Sequence, residues 1–383
     1  MKKYDVIIVG GGFLGLSTAY HLSRAGVKTL VLDKGDLGGG TSAACSGRAQ
    51  VCEGHLDPLN ILLIKEGLKR HETLEEELGM SYEWHRFGLF LIIRTEELWK
   101  RWQERSEILT KAGIPTEVVE RAALQKAEPA MNTTGLLGAA YSMEGLLNPL
   151  LFTRAYARAA ERFGAEIISH AEVIGMEVQN NQATVVRTAK ETYSAGAVAV
   201  MAGAWTPSVT RLAGVEVPVR HTHAEALVTE PLPPVIHNTI ELSDFYETIH
   251  GKRRAVAIGF GPEPNGTLVI TEAVTMTDKL HQGVSHWGLS HIAVEMIGLF
   301  PFLAKTRVMR SWGRPTSFTP DEEPIIGWSP QVGNLFVATS LVETITAVPL
   351  VSEWMAMMLR RETPPVNMER YAPARFAGGW SWN

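Results

Sequence analysis

A glycine-rich stretch at residues 6–15 constrains this chain more than any other feature. Its apolar start predicts a buried strand, glycines follow at positions 10, 12 and 15, and an Ala/Leu-rich run to about residue 26 predicts a helix. In a dinucleotide-binding unit, Gly10 permits the tight turn, Gly12 lets a pyrophosphate approach the backbone, and Gly15 lets the helix pack closely on the strand. The phosphates would meet the positive N-terminal end of that helix.

A second apolar run, residues 28–32, ends in Asp33. An acidic residue at the end of the second strand can accept hydrogen bonds from the ribose hydroxyls of an adenosine. Strand, glycines, helix, strand and terminal acid together predict a dinucleotide site. The alternative is a glycine-rich turn that binds nothing.

Small residues dominate the next stretch, residues 38–48. They cannot pack a core, but they expose backbone N–H groups and the hydroxyls of Thr41 and Ser42 where the chain should pass the first turn. We expect a second phosphate contact here, with a flexible linker as the alternative.

Length and charge narrow the class of protein. With 383 residues the chain is longer than one core usually grows, so two domains are expected. Net charge of -5 argues against a nucleic-acid surface, which needs a concentrated basic patch. With no leader before the first strand and no apolar run long enough for a bilayer, we expect a cytoplasmic protein without a transmembrane segment. Partners could still hold it at the inner membrane.

The two cysteines, Cys45 and Cys52, are too few for a disulfide scaffold or for an iron–sulfur cluster held by this chain alone. If the protein passes electrons to such a cluster, another chain must hold it.

The order of predicted strands and helices indicates an α/β fold with two domains. A Rossmann-like nucleotide-binding domain would consist of residues 1–79, 146–214 and 311–383. Residues 80–145 and 215–310 would form a substrate domain of α+β type with a mixed or antiparallel sheet.

Four motifs resemble the D-amino-acid oxidase-like FAD enzymes in content and order. They are the opening fingerprint, the Gly-Gly-Gly-Thr-Ser-x-Ala run from residue 38, Ala202-Gly203-Ala204-Trp205, and Arg314-Pro315 with the following Pro320-Asp321 and Pro324-Ile325-Ile326-Gly327. The family includes glycine oxidase, sarcosine oxidase and D-amino-acid dehydrogenase, and its nucleotide domain is of the GR2 type. Residues 45–51 and the tail at 378–380 look most similar to the β-subunits of opine oxidases and of proline or hydroxyproline dehydrogenases.

The resemblance implies FAD as the cofactor. The residues that it places at FAD are Gly10, Gly12, Phe13, Leu14, Gly15, Asp33, Lys34, Gly40, Thr41, Ser42, Gly47, Arg48, Ala49, Val173, Ala202, Gly203, Trp205, Gly313, Val342, Glu343, Thr344, Ile345 and Thr346.

One stretch departs from the family pattern. Relatives commonly carry Gly-His-x-x-Gly where this chain has residues 340–344, Ser-Leu-Val-Glu-Thr. The change puts an anionic side chain, Glu343, beside the expected position of the flavin ring.

Arg314 is the main candidate for substrate binding. Its planar guanidinium can hold a carboxylate through two parallel hydrogen bonds, and the resemblance places it at the substrate. The alternative is a surface arginine held by Asp321, Glu322 or Glu323. His223 and Tyr246 are weaker candidates for the substrate pocket. His221 and His223 share a strand face but have no third metal ligand, so we expect no metal site.

The resemblance implies oxidation of the C–N bond of an amino acid, by hydride transfer to flavin N5, to an imine. The substrate would be an opine, proline, hydroxyproline, or a sarcosine- or glycine-like compound. The closest resemblance further implies a β-subunit that works with other subunits carrying electron-relay centres. Alternatives are a stand-alone oxidase that produces hydrogen peroxide and a flavin-holding subunit without activity. An NAD-dependent reductase would need a second fingerprint, which the sequence lacks.

Overall fold

The structure, a computed structural model, describes residues 1–52, 54–250, 253–277, 279–280, 283–341 and 343–382, without the side chains of residues 246, 249 and 250. Its helices are α1 (Phe13–Arg24), α2 (Pro58–Leu78), α3 (Glu96–Lys111), α4 (Arg121–Ala127), α5 (Pro149–Arg162), α6 (Thr206–Thr210), α7 (Phe245–His250), α8 (His286–Leu299) and α9 (Thr344–Leu359). Its strands are β1 (Lys2–Val9), β2 (Thr29–Leu32), β3 (Arg48–Ala49), β4 (His85–Ile93), β5 (Thr116–Glu120), β6 (Gly138–Leu146), β7 (Glu166–Ile168), β8 (Val173–Gln179), β9 (Gln182–Thr188), β10 (Thr192–Val200), β11 (Arg220–Thr229), β12 (Thr239–Leu242), β13 (Arg254–Pro262), β14 (Leu268–Met276), β15 (Val308–Phe318), β16 (Ile325–Trp328) and β17 (Leu335–Thr339).

The first sheet has a parallel centre. Its order is β16-β17-β10-β1-β2-β7, and the β8–β9 hairpin joins it through β10. β17, β10, β1, β2 and β7 pair in parallel. Every residue of β2 and β17 is buried, as expected for parallel strands covered on both faces. This explains why these strands are continuous apolar runs in the sequence.

The second sheet is mixed and mostly antiparallel, as predicted. Its order is β15-β11-β14-β13-β12-β4-β6-β3, with β5 paired to β6 and a parallel step between β12 and β4. One face packs on α8, as in the contact of Ile270 with the cluster that includes Ile292. Leu89 and Leu91 of β4 belong instead to the cluster that includes Val6 and Val351, so the two sheets share a core.

Two strands of the second sheet lie in segments that the sequence assigned to the nucleotide-binding domain. They are β3 and most of β15, which runs without a break across the predicted boundary after residue 310. β3 follows the small-residue run that lines the cavity, and β15 itself contributes Arg314, Thr316 and Ser317 to the cavity wall. The exact domain boundaries stay a prediction.

Within the described ranges, no helix has both the length and the apolar character needed to cross a membrane. α8 is apolar on most sides, but it is 14 residues long and covers the second sheet.

Gly15 fixes how closely α1 approaches β1. A Cβ built on Gly15 would lie 1.9 Å from the carbonyl oxygen of Gly10, which is backbone that cannot move aside cheaply. The contact sets the direction of α1, whose first turn therefore starts directly beyond the end of β1.

We expect Gly15→Ala to lower the free energy of unfolding by about 1–3 kcal/mol, because the methyl group forces helix and strand apart. Gly298→Ala is the matched control. It is also a helical glycine, but a Cβ there meets nothing within 4 Å. Since alanine favours the helix, this control should raise stability by up to about 1 kcal/mol. Urea denaturation of both variants checks the pair, and equal effects would contradict the packing role of Gly15.

Candidate functional site

A cavity of about 770 Å³ lies at the carboxyl ends of β1, β2 and β10, where Val9, Leu32 and Met201 reach its wall. Ligand pockets in proteins typically have about 300–1,000 Å³. The residues of its lining that the sequence had assigned to cofactor or substrate are Gly10, Gly12, Phe13, Leu14, Asp33, Lys34, Gly40, Thr41, Ser42, Val173, Ala202, Gly203, Trp205, Arg314 and Thr344.

The glycine turn brings backbone close to this cavity. Gly10 has a φ of 121°, and a Cβ there would lie 2.3 Å from the carbonyl oxygen of Met201. A Cβ on Gly12 would lie 2.9 Å from Oγ of Ser42. Any other residue at these positions would push the turn away from the neighbouring backbone and hydroxyl.

Ser42 lies against the first turn, at the position predicted for the small-residue run. Its Oγ accepts a hydrogen bond from the backbone N–H of Phe13 at 3.1 Å. Thr41 donates its hydroxyl proton to the carbonyl oxygen of Pro315 at 2.6 Å. The run therefore meets both the start of α1 and strand β15 of the second sheet.

Asp33 stands at the end of β2 with its carboxylate fixed by two backbone donors. The N–H groups of Gly11 and Gly35 donate to it at 2.6 and 2.8 Å. Next to it, Nζ of Lys34 lies 4.0 Å from the ring centroid of Trp205, a cation–π distance. Burial lowers the pKa of Lys34.

These features fit a dinucleotide such as FAD. The N-terminal end of α1, the bare backbone at Gly10 and Gly12, and a fixed carboxylate at Asp33 are what its pyrophosphate and ribose require. The wall of the cavity includes residues at the ends of β1, β2 and β10 and residues of β15.

Several residues that the sequence assigned to the cofactor lie outside this cavity's wall. Gly15 packs α1 on β1, and Gly47 has a φ of 75° with its Cβ position 2.1 Å from the carbonyl oxygen of Leu147. Val342 lies outside the described residues, as does the side chain of Tyr246. The others are Arg48, Ala49, Gly313, Glu343, Ile345 and Thr346.

Arg48 lies in a buried ion cluster between the two layers. Its Nε and Nη2 donate to the carboxylate of Glu144 at 2.9 and 2.8 Å, and its Nη1 contacts Glu241. The side chains of both glutamates are fully buried. No sequence pattern indicated this cluster, because its three members come from the separate strands β3, β6 and β12.

The first turn of α9 is fastened to residues 50–54. The carboxylate of Glu343 accepts the N–H of Gly54 at 2.7 Å, and Oγ1 of Thr346 donates to the carbonyl oxygen of Gln50 at 2.8 Å. Glu343, which appeared out of place in the sequence, therefore has a backbone partner. α9 begins at Thr344, directly after Glu343.

His71 is a residue that sequence reasoning missed. Its Nε2 lies 2.9 Å from the carbonyl oxygen of Ile345 and its Nδ1 lies 3.1 Å from the hydroxyl of Tyr82. Since a carbonyl only accepts, Nε2 carries the proton and Nδ1 accepts from Tyr82. The ring stacks on Trp84 at 4.3 Å, and burial lowers the pKa of His71 to about 4. A neutral histidine thus holds the start of α9.

Arg314 lines the cavity rather than pairing with the acidic residues that follow it. Its Nε donates to the carbonyl oxygen of Gly39 at 3.1 Å, and Nη1 donates to that of Gly313 at 2.8 Å. Burial, with a smaller effect of Arg310, lowers the pKa of Arg314. Asp321 pairs instead with Arg375 at 2.8 Å.

His223 lies on the opposite face of the second sheet from the cavity. It is buried, its Nε2 donates to the carbonyl oxygen of Gly283 at 2.9 Å, and it lies 4.0 Å from the carboxylate of Glu225. The carboxylate of Glu225 in turn accepts from Ser285 at the start of α8. In the described part of the chain, no group of three His, Cys, Asp or Glu side chains could hold a metal ion.

Comparison with known proteins gives one family over nearly the whole chain. The family model for FAD-dependent oxidoreductases (DAO) matches residues 5–358. Among curated proteins, the β-subunit of sarcosine oxidase from an Arthrobacter species is 29% identical over 348 residues, covering 88% of this chain and 82% of the relative. The corresponding subunit from Rhodobacter capsulatus is 24% identical and covers 88% of this chain and 80% of the relative.

Solved structures show the same fold at lower identity. L-proline dehydrogenase from P. horikoshii superposes with a TM-score of 0.87 at 21% identity, covering 99% of this chain and 100% of that chain. Glycine oxidase from Geobacillus kaustophilus superposes with a TM-score of 0.89 at 22% identity, covering 98% and 99%.

The buried His71 predicts a pH-dependent stability. Burial lowers the pKa of His71 from its ordinary value of 6.5 to about 4. Between pH 4 and pH 6.5, the unfolded chain therefore binds a proton at His71 more readily than the folded protein does. The contribution of neutral His71 to the free energy of unfolding is therefore fully present above pH 6.5 and is lost as the pH falls towards 4. Relative to a His71→Asn variant, which cannot titrate there, the wild type should lose about 2 kcal/mol between pH 7 and 5. Urea denaturation at both pH values measures the difference, and a pH-independent difference would exclude a buried neutral His71.

Proposed function

This chain belongs to the family of FAD-dependent oxidoreductases (DAO), and on that basis we propose that it oxidises the C–N bond of an amino acid. FAD is its cofactor. The preferred substrates would carry a secondary amine, as in opines, proline, hydroxyproline or sarcosine. The observation that supports an amino-acid substrate is Arg314, a guanidinium in the wall of the cavity that fits FAD.

Arg314 would bind the substrate carboxylate. A guanidinium offers two parallel N–H donors that match a carboxylate in one plane, and carbonyl oxygens of Gly39 and Gly313 already orient it. Fixing the carboxylate limits where the Cα–H bond can point. Such positioning is the main contribution of the protein when the cofactor supplies the chemistry.

The chemistry that FAD supplies when bound is acceptance of a hydride at its N5 atom. The protein residues that would hold it are those of the cavity, with the first turn at the pyrophosphate and Asp33 at the ribose. The oxidised product is an imine, which water hydrolyses or which leaves intact when the substrate is cyclic.

We further propose that the chain is the catalytic β-subunit of a heteromeric dehydrogenase. The names of two relatives, each a sarcosine oxidase subunit beta, support a multi-subunit assembly. Other subunits would carry the centres that relay electrons from the reduced flavin. We expect such an assembly in the cytoplasm, with its partners as the route to the inner membrane.

A stand-alone oxidase is the second candidate. It is favoured by the likeness of the fold to glycine oxidase, a protein named as an oxidase. The half-reaction on the amino acid would be the same, and only the electron acceptor would differ.

The test of the proposed function is an anaerobic absorbance scan of the purified chain near 450 nm. Proline, hydroxyprolines, sarcosine, glycine and opines are added in turn, and we expect one class of secondary amine to bleach the flavin. Slow recovery of colour in air would support the dehydrogenase, whereas rapid recovery with peroxide would support the oxidase. A yellow protein that no compound bleaches would contradict both and indicate a flavin-holding subunit.

Arg314→Ala should raise the KM of the identified substrate by about 10²-fold or more, because a paired carboxylate loses its charge-assisted hydrogen bonds. The flavin absorbance spectrum should stay unchanged. Arg310→Ala is the matched control, since Arg310 lies four residues earlier on β15 and is exposed. Steady-state kinetics of both variants decide the matter: equal KM values for Arg314→Ala and wild type would remove Arg314 from the carboxylate role.

A further inference from the structure

Ser340 is a residue of the cavity wall whose side chain lacks a partner. Its Oγ is shielded from solvent and makes no hydrogen bond with the residues that the structure describes. Among the described residues of the cavity wall, no other side-chain N or O atom is both buried and without a hydrogen bond. Leaving a buried hydroxyl group unpaired costs free energy, so this position favours a ligand that supplies a partner.

The backbone at Ser340 has an unusual conformation. Its φ is 59°, in the left-handed region that residues other than glycine rarely adopt. On one side, Oγ1 of Thr339 donates to the carbonyl oxygen of Gly203 at 3.1 Å. On the other side, Oγ1 of Thr344 donates to the carbonyl oxygen of Leu341. Strained conformations persist where surrounding contacts fix them, and they are concentrated at ligand-binding sites.

Ser340 stands last in a row of strand ends that border the cavity. β2, β1, β10 and β17 are adjacent in this order and parallel, so their carboxyl ends lie along one edge of the first sheet. The residues that follow these ends and line the cavity are Asp33, Gly10 with Gly12, Gly203 and Ser340. Neighbouring strands lie about 4.8 Å apart, so β17 is about 10 Å from β1 and about 14 Å from β2.

The order of these strand ends agrees with the order of chemical groups in FAD. Asp33 fits the adenosine ribose, and the glycine turn with the start of α1 fits the pyrophosphate. The ribityl chain follows the pyrophosphate in FAD, so an extended cofactor carries it towards β10 and β17. Its 2′-, 3′- and 4′-hydroxyl groups can each donate and accept a hydrogen bond, as the hydroxyl group of serine can.

Three other hydroxyl groups of the cavity wall already have partners in the protein. Thr41 and Thr339 donate to backbone carbonyl oxygens, and Ser42 accepts from the N–H of Phe13. Ser340 differs from them because its hydroxyl group has no such partner among the described residues. It can therefore pair with a cofactor hydroxyl group without giving up a contact within the protein.

We propose that Oγ of Ser340 forms a hydrogen bond with a hydroxyl group of the FAD ribityl chain. A serine side chain has three staggered positions about its Cα–Cβ bond, so Oγ can turn towards a ligand in the cavity that Ser340 lines. The contact satisfies both hydroxyl groups and fixes the flavin end of the cofactor on the side of β17. This inference depends on FAD as the cofactor and goes beyond the proposed function, because it does not depend on the substrate.

The test is a cycle of binding measurements with one change in the protein and one in the cofactor. Ser340→Ala removes the side-chain hydroxyl group, and the 2′-, 3′- and 4′-deoxyribityl analogues of FAD each lack one ribityl hydroxyl group. The chain is freed of flavin and titrated with each compound, and flavin fluorescence gives the Kd.

In wild type, FAD should bind about 5-fold more tightly than one of the three analogues, the usual effect of one hydrogen bond. Ser340→Ala should bind FAD about 5-fold more weakly than wild type does. It should bind FAD and that analogue equally well, because the partner of the missing ribityl hydroxyl group is already gone. Equal FAD affinity of wild type and Ser340→Ala would overturn the inference.

ADP provides a second readout, since it contains the adenosine and the pyrophosphate but no ribityl chain. Wild type and Ser340→Ala should bind ADP equally well. If Ser340→Ala lost affinity for ADP and FAD alike, the hydroxyl group would act at the phosphates or on the shape of the wall, and the inference would be wrong. A loss for FAD alone, without a coupled effect of any analogue, would place the contact at the flavin ring and also contradict it.

Ser340→Gly separates the hydrogen bond from the backbone conformation. Glycine adopts positive φ without steric cost, so this variant should have a higher urea midpoint than Ser340→Ala. Its FAD affinity should nevertheless be as low as that of Ser340→Ala, because both variants lack the hydroxyl group. FAD affinity that followed the urea midpoint instead would indicate a purely structural role of Ser340 and overturn the inference.

Ser208→Ala is the matched control. Ser208 also lines the cavity, but it is exposed and lies on α6, directly after Trp205, whose ring contacts Lys34 beside Asp33. Any change in affinity should be the same for FAD, ADP and the analogues. Failure of every amine to bleach the flavin would overturn the proposed function but not this inference, because the binding cycle requires no substrate.

Discussion

The close approach of α1 to the end of β1 is the contact on which the rest of the site depends. Gly15 lets the helix lie against the carbonyl oxygen of Gly10, and Gly10 in turn lies against the carbonyl oxygen of Met201 at the end of β10. The N-terminal end of α1 therefore points into the cavity between neighbouring parallel strands. Ser42 and Asp33 then have fixed backbone donors to bind. A phosphate site built in this way needs no cationic side chain in its first turn.

The second sheet supplies polar side chains that border the nucleotide site. β15 brings Arg314 into the cavity wall and Trp312 onto Ala44, while β12 and β6 enclose Arg48 between two carboxylates. Residues 38–50 run between the layers and contact both.

Side-chain contacts hold the start of α9, where relatives commonly carry glycines. His71 binds the carbonyl oxygen of Ile345, and Glu343 and Thr346 bind the backbone of residues 50–54. The anionic side chain of Glu343 is therefore directed at a backbone donor. Because His71 is buried and neutral, this end of the helix is sensitive to acid although His71 does not line the cavity.

The sequence by itself determined the features that depend on neighbouring residues. Glycine spacing, an acid at the end of the second strand and apolar periodicity predicted the nucleotide unit, the order of strands and helices and the two sheets, because a turn or a buried strand is specified within a few residues. Only the tertiary structure decided that Arg48, Glu144 and Glu241 form one cluster, that His71 holds α9, and that His223 faces α8. Those contacts join residues far apart in the chain, and pairing between distant strands leaves no local pattern. For the same reason, the sequence could name Arg314 but could not show that its guanidinium lies in the cavity wall against the carbonyl oxygens of Gly39 and Gly313.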